Sequence, residues 1–271
     1  MPTTSKTWPY PRWIAHRGAG KLAPENTLAA FRLGASHGYR MFECDVKLSA
    51  DGVPFLLHDS TLQRTTNSQE HLAPKASSVA GDHAWSTLSQ LDAGSWHSSA
   101  FAGEPLPSFE NIVRYCLLNH YFLNVEIKPT PGLEYETGQV VANHAARLWQ
   151  RAAAPPLLTS FDTPALEATR NAQPQLPRGL LLDSLKPGWI ESALALDCVA
   201  IVCHHTLWDS STIAQAQIAG LRTLSYTVND KETAQRLINL GLDGIITDRV
   251  ELLPVQHEAT KNPLSGEEGG F

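Results

Sequence analysis

The run MFECDV, residues 41–46, places two acidic side chains in an otherwise apolar segment. Residues two apart point to the same side of a β-strand, so Glu43 and Asp45 project together while the apolar residues between and beside them face the other way. Two like charges that lie close together raise a pKa unless a cation lies between them. The run therefore predicts a strand whose carboxylates share a divalent metal, and a solvated pair of carboxylates is the alternative.

Seven further short runs are predicted to be strands, and each of the eight is followed by a segment that suits a helix. Eight such pairs in 271 residues predict an α/β protein with a (β/α)8 fold, the TIM barrel. An open doubly wound sheet is the alternative, but no GxGxxG follows the first strand. A short run at Val53–Leu57 predicts an extra strand or extended arm. The eight strands are predicted at Trp13–His16, Met41–Val46, Tyr121–Ile127, Leu157–Ser160, Gly179–Leu182, Val199–Cys203, Thr223–Val228 and Gly244–Thr247.

Several helix boundaries can be predicted from residues that favour helix ends. Asn26 or Thr27 suits the N-cap of the first helix, and Ser108 and Asp230 suit the N-caps of two later ones. Gly38 is expected to end the first of these helices.

The chain is interpreted as one domain over residues 1–271, with the barrel at about residues 13–253. Residues 60–104 lack sustained periodicity, which predicts a loop-rich insertion after the second strand rather than a separate core. Residues 257–271 lack apolar content and are expected to form a frayed tail.

Composition excludes several classes of protein. The net charge is −6 and no basic cluster stands out, so binding to nucleic acid by phosphate neutralisation is not expected. No stretch approaches the ~20 apolar residues of a membrane span, and residues 1–11 lack the apolar run of a signal peptide. Four cysteines without CxxC spacing indicate buried structural thiols. Together these features predict a cytoplasmic protein without stable membrane insertion.

The third strand carries more charge on the side that would face the barrel interior. In LNVEIK, residues 123–128, aliphatic residues alternate with Asn124, Glu126 and Lys128. Glu126 and Lys128 could form a structural salt bridge, but burying charge so consistently on one face is costly, which favours a working site. Three carboxylates, from Glu43, Asp45 and Glu126, would suit Mg²⁺ or Ca²⁺ better than Zn²⁺.

Two histidines and a further cation are predicted to join this site, because active sites of TIM barrels lie at the C-terminal ends of the strands. His16 ends the first strand and His58 ends the short run after the second; each taken alone could be a structural histidine. Together they would supply acid and base catalysis near neutral pH. Arg17 and Lys128 have no obvious partners in the sequence and suggest an anionic substrate, with phosphate the leading candidate. The residues thus predict metal-assisted phosphoryl transfer.

Several spaced motifs, in order and spread from about Trp13 to Leu253, resemble the glycerophosphodiester phosphodiesterase family, the bacterial cytoplasmic type in particular. The motifs are HRGAGKLAPENTLAAF (16–31), FECDVKLSADGVPFLLHDSTLQRTTN (42–67), LSQLDAGSWHSSAFAGEPLPSFENIV (88–113), NVEIKP (124–129), YTVND (226–230) and GLDGIITDRV (241–250).

The resemblance implies a barrel that hydrolyses glycerophosphodiesters to sn-glycerol 3-phosphate and an alcohol, with one divalent cation. It assigns His16 and His58 as the acid–base pair. Arg17 and Lys128 would contact the phosphate, and Tyr226, where the family usually has Trp, would line the substrate pocket. The metal ligands that it implies are Glu43, Asp45 and Glu126.

The family mechanism implied for this chain passes through a cyclic phosphate. The glycerol 2-hydroxyl would attack phosphorus, one histidine would accept its proton, and the other would protonate the leaving alcohol. Mg²⁺ is preferred over Ca²⁺ because the cytoplasm offers little free Ca²⁺. The sequence does not indicate which histidine is the acid, which alcohol is released, or the oligomeric state.

Two other functions are considered. A barrel phosphodiesterase of the sphingomyelinase D or phosphatidylinositol-specific phospholipase C kind would act at membranes, and only Trp85 and Trp96 are candidates for that contact. A catalytically silent binding protein on the same fold would be expected to lose a histidine or a carboxylate, and all five are present.

Overall fold

One nine-stranded sheet organises the protein in the computed structural model, which describes residues 8–253. The strands are β1 (Trp13–Ala15), β2 (Met41–Leu48), β3 (Pro54–Leu56), β4 (Phe122–Ile127), β5 (Leu157–Ser160), β6 (Arg178–Leu182), β7 (Ala200–His204), β8 (Arg222–Tyr226) and β9 (Gly244–Thr247). Neighbouring strands pair in parallel, except that β3 runs antiparallel to β2. Because β1 pairs with both β2 and β9, eight parallel strands close into a barrel, and the predicted (β/α)8 fold is confirmed.

Nine α-helices are described in residues 8–253, and seven of them, α1 and α4 to α9, connect successive barrel strands. The helices are α1 (Leu28–Ser36), α2 (Ser68–His71), α3 (Trp85–Leu88), α4 (Phe109–Leu118), α5 (Glu134–Leu148), α6 (Thr163–Ala172), α7 (Trp189–Ala195), α8 (Ser210–Ile218) and α9 (Lys231–Asn239). Helices α2 and α3 are single turns in the segment between β3 and α4.

Predicted and observed strands agree to within two residues at each end. The helix expected after the eighth strand is not formed in the described residues. After β9 the chain makes one turn, in which the N–H groups of Leu252 and Leu253 donate to the carbonyl of Arg249. Leu253 is buried, so this last described turn packs against the barrel. The predicted tail at residues 257–271 lies outside the described residues, as do residues 1–7.

Helix α1 begins at Thr27 because the Thr27 hydroxyl accepts a hydrogen bond from the N–H of Ala30. Asn26, the other candidate for this cap, forms hydrogen bonds with Asp45 instead. Ser108 and Asp230 cap α4 and α9 as predicted. Gly38 follows the end of α1 with φ of 90°, a conformation that glycine adopts without strain.

Successive side chains along each strand point alternately to the outside and to the inside of the barrel, and this separates an outer apolar layer from an inner one. On β2, Phe42 packs outward against Phe31 of α1. Met41 belongs to a second apolar cluster, made of residues from β1, β2 and β5 to β9, which fills the barrel interior. Glu43 and Asp45 share the face of Met41 and lie further along β2. The interior is therefore apolar at the N-terminal end of the strands and charged at the C-terminal end.

Residues 60–104 form the predicted loop-rich insertion, but they also contribute to a small apolar cluster that the sequence did not predict. Leu62, Leu88 and Leu91 are buried there together with Phe55 of β3 and Leu57. Because the cluster includes β3, the insertion packs on the barrel through this extra strand.

All four cysteines are buried free thiols, as predicted. Among residues 8–253 no helix is both long enough and apolar enough to cross a membrane.

Candidate active site

A cavity of about 320 Å³ opens at the C-terminal end of the barrel. It brings together seven of the eight predicted site residues, and the eighth, Asp45, is buried beside them. The predicted residues that line it are His16, Arg17, Glu43, His58, Glu126, Lys128 and Tyr226.

Three carboxylates converge in this cavity, since Asp45 of β2 lies directly beside Glu126 of the neighbouring β4. Oxygen atoms of Glu43, Asp45 and Glu126 lie within 4.8 Å of one another. Only 2% of Glu43 and 1% of Asp45 is exposed. Glu43 Oε1 is buried and accepts no hydrogen bond from any residue in 8–253. A set of buried carboxylate oxygens with one unused acceptor fits a hard divalent cation such as Mg²⁺ or Ca²⁺.

Burial and mutual repulsion separate the pKa values of these carboxyl groups. Burial, together with the charge of Asp45, raises the pKa of Glu43 to about 8. Burial likewise raises the pKa of Glu126, again with a contribution from Asp45. Burial would raise the pKa of Asp45 too, but the charges of Arg17, His58 and Lys128 outweigh it and lower that pKa to about 2. Of the three groups, Asp45 is thus the one whose charged form the surroundings favour.

Asn26, which the sequence suggested only as a helix cap, holds Asp45 in place. Its side-chain nitrogen donates to Asp45 Oδ2 at 2.8 Å, and its side-chain oxygen accepts from the Asp45 N–H at 3.1 Å. Asn26 has φ of 59°, a left-handed conformation that asparagine tolerates better than most residues. The loop between β1 and α1 therefore fixes Asp45 through two hydrogen bonds.

The two cations that were expected to bind phosphate are paired with these carboxylates. Lys128 Nζ donates to Glu126 Oε1 at 2.9 Å and lies 3.8 Å from Asp45 Oδ1, so the alternative salt bridge of the sequence analysis is formed within the cavity. Arg17 Nε lies 3.3 Å from Asp45 Oδ2, and the Arg17 backbone N–H donates to Glu43 Oε2 at 3.0 Å. Both side chains line the cavity, where a phosphate group could replace the carboxylates as their partner.

His16 is oriented by Asp248, a residue that sequence reasoning did not select. His16 Nδ1 lies 2.6 Å from Asp248 Oδ1, and His16 Nε2 lies 3.7 Å from Glu43 Oε2. Asn229 donates to Asp248 Oδ2 at 3.0 Å and accepts from the Asp248 N–H at 2.9 Å. Burial would lower the pKa of His16, but Asp248 and Glu43 outweigh it and raise that pKa. Asn229 and Asp248 lie in the motifs at residues 226–230 and 241–250. Their place in these motifs is the feature of the sequence that could have identified them as site residues.

His58 is held by a chain of charges that begins in the insertion. Its Nδ1 lies 2.8 Å from Asp59 Oδ1, and Arg64 donates to both oxygens of Asp59 at 2.6 and 2.9 Å. Arg64 also donates to both oxygens of Glu25, which in turn accepts from Arg17 at 2.9 Å. One arginine thus connects the supports of His58 and Arg17. Burial lowers the pKa of His58, with Arg17 and Lys128 acting in the same direction and Asp45 opposing them.

Lys47, two residues beyond Asp45 on β2, is a further buried cation that the sequence analysis did not select. It is 1% exposed, and its Nζ donates to the backbone carbonyl of Lys128 at 2.9 Å. Burial lowers the pKa of Lys47 to about 8, although the charge of Asp45 opposes that effect. This contact anchors the backbone that carries Lys128.

Tyr226 forms an aromatic wall with Phe161. The Tyr226 hydroxyl donates to the carbonyl of Leu182 at 3.0 Å, and its ring lies edge-on to Phe161 with 5.8 Å between centroids. Its hydroxyl is therefore engaged with the barrel backbone, while its ring faces the cavity.

Comparisons with known proteins agree with this geometry. The sequence model of the glycerophosphoryl diester phosphodiesterase family matches residues 16–252. A glycerophosphodiester phosphodiesterase of Caldanaerobacter subterraneus is 30% identical over 245 residues, which cover 89% of this chain and 95% of that protein.

Two solved structures are similar over nearly the same span. A phosphodiesterase of Oleispira antarctica, in complex with the product sn-glycerol-3-phosphate, is 32% identical with a TM-score of 0.79, over 88% of this chain and 93% of that one. A glycerophosphodiester phosphodiesterase of Agrobacterium tumefaciens is 26% identical with a TM-score of 0.73, over 89% of this chain and 97% of that one.

Binding of Mg²⁺ is predicted to release a proton. Because the pKa of Glu43 is raised to about 8, this group is mostly protonated below pH 8 and must lose its proton to become a ligand. The apparent affinity is expected to rise by about tenfold per pH unit from pH 6 to 8. Titration calorimetry in buffers of different ionisation enthalpy measures both quantities. Glu43→Gln should abolish proton release, the exposed Glu136→Gln should not, and equal affinity at pH 6 and 8 would contradict the prediction.

Removal of Arg64 is predicted to impair catalysis without unfolding the protein. Arg64→Ala frees Asp59 and Glu25, so His58 loses its fixed orientation and kcat should fall roughly ten- to hundredfold. Arg64→Lys should recover part of the loss. Arg114→Ala, which removes an exposed arginine paired with Glu110, is the matched control. Steady-state kinetics and melting temperature are the measurements, and an unchanged kcat in Arg64→Ala would show that the network does not position His58.

Proposed function

The chain belongs to the glycerophosphoryl diester phosphodiesterase family and is thus a phosphoric diester hydrolase, and we propose from this premise how its residues carry out the reaction. It hydrolyses glycerophosphodiesters to sn-glycerol 3-phosphate and an alcohol, by acid–base catalysis from His16 and His58. One divalent cation assists. The observation that carries the proposal is the convergence of two histidines, two cations and three carboxylates around one cavity of about 320 Å³. The product bound by the Oleispira antarctica phosphodiesterase is consistent with this substrate class.

Glu43, Asp45 and Glu126 would hold the cation, and the unused acceptor on Glu43 supports that assignment. When bound, the cation would withdraw electron density from a phosphoryl oxygen and offset the negative charge that develops there. We favour Mg²⁺ over Ca²⁺ because Mg²⁺ commonly binds a few carboxylates together with substrate phosphate. Buried free thiols suit a reducing compartment, and we propose a cytoplasmic location.

Cleavage begins at the glycerol 2-hydroxyl. One histidine takes the proton of this hydroxyl as its oxygen bonds to phosphorus, and the bond from phosphorus to the alcohol oxygen breaks. The other histidine donates a proton to that leaving oxygen. The products of this step are the free alcohol and a cyclic glycerol phosphate. His16 contacts Asp248 through Nδ1, and His58 contacts Asp59 through Nδ1. The Nε2 atom of each histidine is therefore the one that would exchange a proton with the substrate.

Water then opens the cyclic phosphate with the histidine roles reversed. The histidine protonated in the first step returns its proton to the 2-oxygen, and the other accepts a proton from water. The product is sn-glycerol 3-phosphate, and both histidines regain their starting states. Arg17 and Lys128 stabilise the charge on the phosphoryl oxygens, since both line the cavity beside the carboxylates.

Turnover is predicted to require both the cation and the 2-hydroxyl. Exhaustive chelation should abolish hydrolysis of sn-glycero-3-phosphoethanolamine, and Mg²⁺ should restore it. An analogue without the 2-hydroxyl should inhibit competitively but release no alcohol, because no attacking oxygen is present. His16→Ala and His58→Ala should each lower kcat by about 10²–10⁴-fold, whereas His71→Ala, at an exposed position, should not.

The measurements are alcohol release and ³¹P NMR, in which a transient cyclic phosphate is the expected positive sign. Hydrolysis of the 2-deoxy analogue at a normal rate would indicate direct attack by water and contradict the cyclic pathway. A phosphohistidine trapped on His16 or His58 would contradict it in another way, by making that residue the nucleophile. Full activity after chelation would contradict the role of the cation.

A further inference from the structure

A second cavity, of about 310 Å³, adjoins the candidate active site. Phe161 and Leu181 line both cavities, so the two are adjacent and share a wall at these side chains. The second cavity lies outside the barrel interior, between the end of β6 and the start of α7. It is therefore positioned to receive a part of the substrate that extends beyond the reacting phosphate.

The walls of this cavity combine aromatic and charged side chains. Phe161 and Trp189 contribute rings, and Trp189 is supported by edge-on packing against Trp208 at 6.3 Å. Asp183 and Lys186 contribute opposite charges, and neither takes part in an ion pair within residues 8–253. The carboxylate of Asp183 accepts from the Ser184 hydroxyl at 2.9 Å and retains further acceptor capacity.

Asp183 is connected to the active site through its neighbour in the chain. It directly follows Leu182, whose carbonyl accepts the hydroxyl of Tyr226. The charge of Asp183 also contributes to raising the pKa of Tyr226, after the larger effect of burial. Asp183 therefore places a carboxylate next to the part of β6 that contacts Tyr226 of the active site.

The two arms of a glycerophosphodiester have different requirements. The glycerol arm must bring its 2-hydroxyl to the histidines, so it remains in the first cavity. The leaving alcohol extends away from phosphorus on the other side, and the second cavity is the adjoining space. This step rests on the proposed function, because it takes the substrate and the attacking group from it.

We propose that the second cavity binds the leaving alcohol and favours an amino alcohol, that is, an alcohol with a cationic nitrogen. An ammonium group would pair with Asp183, and its carbon atoms would pack on the rings of Phe161 and Trp189. A polyhydroxylated alcohol would need more polar partners than these walls supply, and an acyl chain would bring apolar surface against two unpaired charges. Lys186 gives an additional contact to amino alcohols that also carry a carboxylate, such as serine.

The test compares two diesters whose leaving alcohols are of similar size and differ in charge. They are sn-glycero-3-phosphoethanolamine and the neutral-headed sn-glycero-3-phosphoglycerol. Asp183→Asn should lower kcat/KM for the ethanolamine diester by about fivefold, as expected for one exposed charge pair, and Asp183→Lys should lower it further. The glycerol diester should change by less than twofold in both variants.

Glu191→Gln serves as the control, and Lys186→Met extends the test to the second charge of the cavity. Glu191→Gln removes a carboxylate from α7 that does not line the cavity, and it should leave both diesters unchanged. Lys186→Met should lower kcat/KM for sn-glycero-3-phosphoserine while leaving the glycerol diester unchanged. Asp183 and Lys186 are exposed, so these variants should fold normally, and melting temperatures confirm it.

The outcomes separate this inference from the proposed function. If the wild-type protein hydrolyses both diesters and Asp183→Asn leaves their ratio of kcat/KM unchanged, the second cavity does not bind the amino alcohol. An equal loss on both diesters would likewise overturn the inference, since it would show a general effect on the site. If the wild-type protein hydrolyses neither diester, the proposed function itself fails and this inference fails with it.

Discussion

Crowding of three carboxylates, two of them buried, in one barrel interior is the constraint on which the rest of the site depends. Glu43, Asp45 and Glu126 would repel one another strongly in an environment from which water is largely excluded. The protein offsets this repulsion from several directions, with Arg17 and Lys128 as counter-charges and amide hydrogen bonds to Asp45. One acceptor on Glu43 remains unused. The unused acceptor and the crowding of the carboxylates are consistent with a divalent cation among the three groups.

The topology of the barrel places these groups together and then supports them from its loops. Neighbouring parallel strands bring β2 and β4 into register, which sets Asp45 beside Glu126. The loop after β1 contributes Arg17. At the end of the same loop, Asn26 forms hydrogen bonds that hold Asp45. The insertion packs on β3 through its own apolar cluster and brings Arg64 to the supports of His58. The insertion therefore supports the candidate active site as well as adding to the fold.

The sequence predicted the barrel, and it predicted that the charged residues share one site. Both predictions follow from local patterns. Strand alternation shows which side chains share a face, and spaced motifs show their order. Contacts between distant segments carry no such pattern: Asp248 lies 232 positions from His16, and Arg64 lies 39 from Glu25. The single turn that follows β9 within residues 8–253 packs through Leu253, a contact that periodicity does not report. The second cavity arises from the relative placement of α6, β6 and α7, which the periodicity of the sequence does not report.

The most direct test of the carboxylate cluster is anomalous diffraction from crystals soaked with Mn²⁺ in place of Mg²⁺. The account predicts one strong anomalous peak within about 2.5 Å of an oxygen from each of Glu43, Asp45 and Glu126. Glu126→Gln should weaken that peak under the same conditions. Absence of a peak among the three carboxylates at saturating Mn²⁺, or a peak only on other carboxylates, would contradict the claim that a cation completes this site.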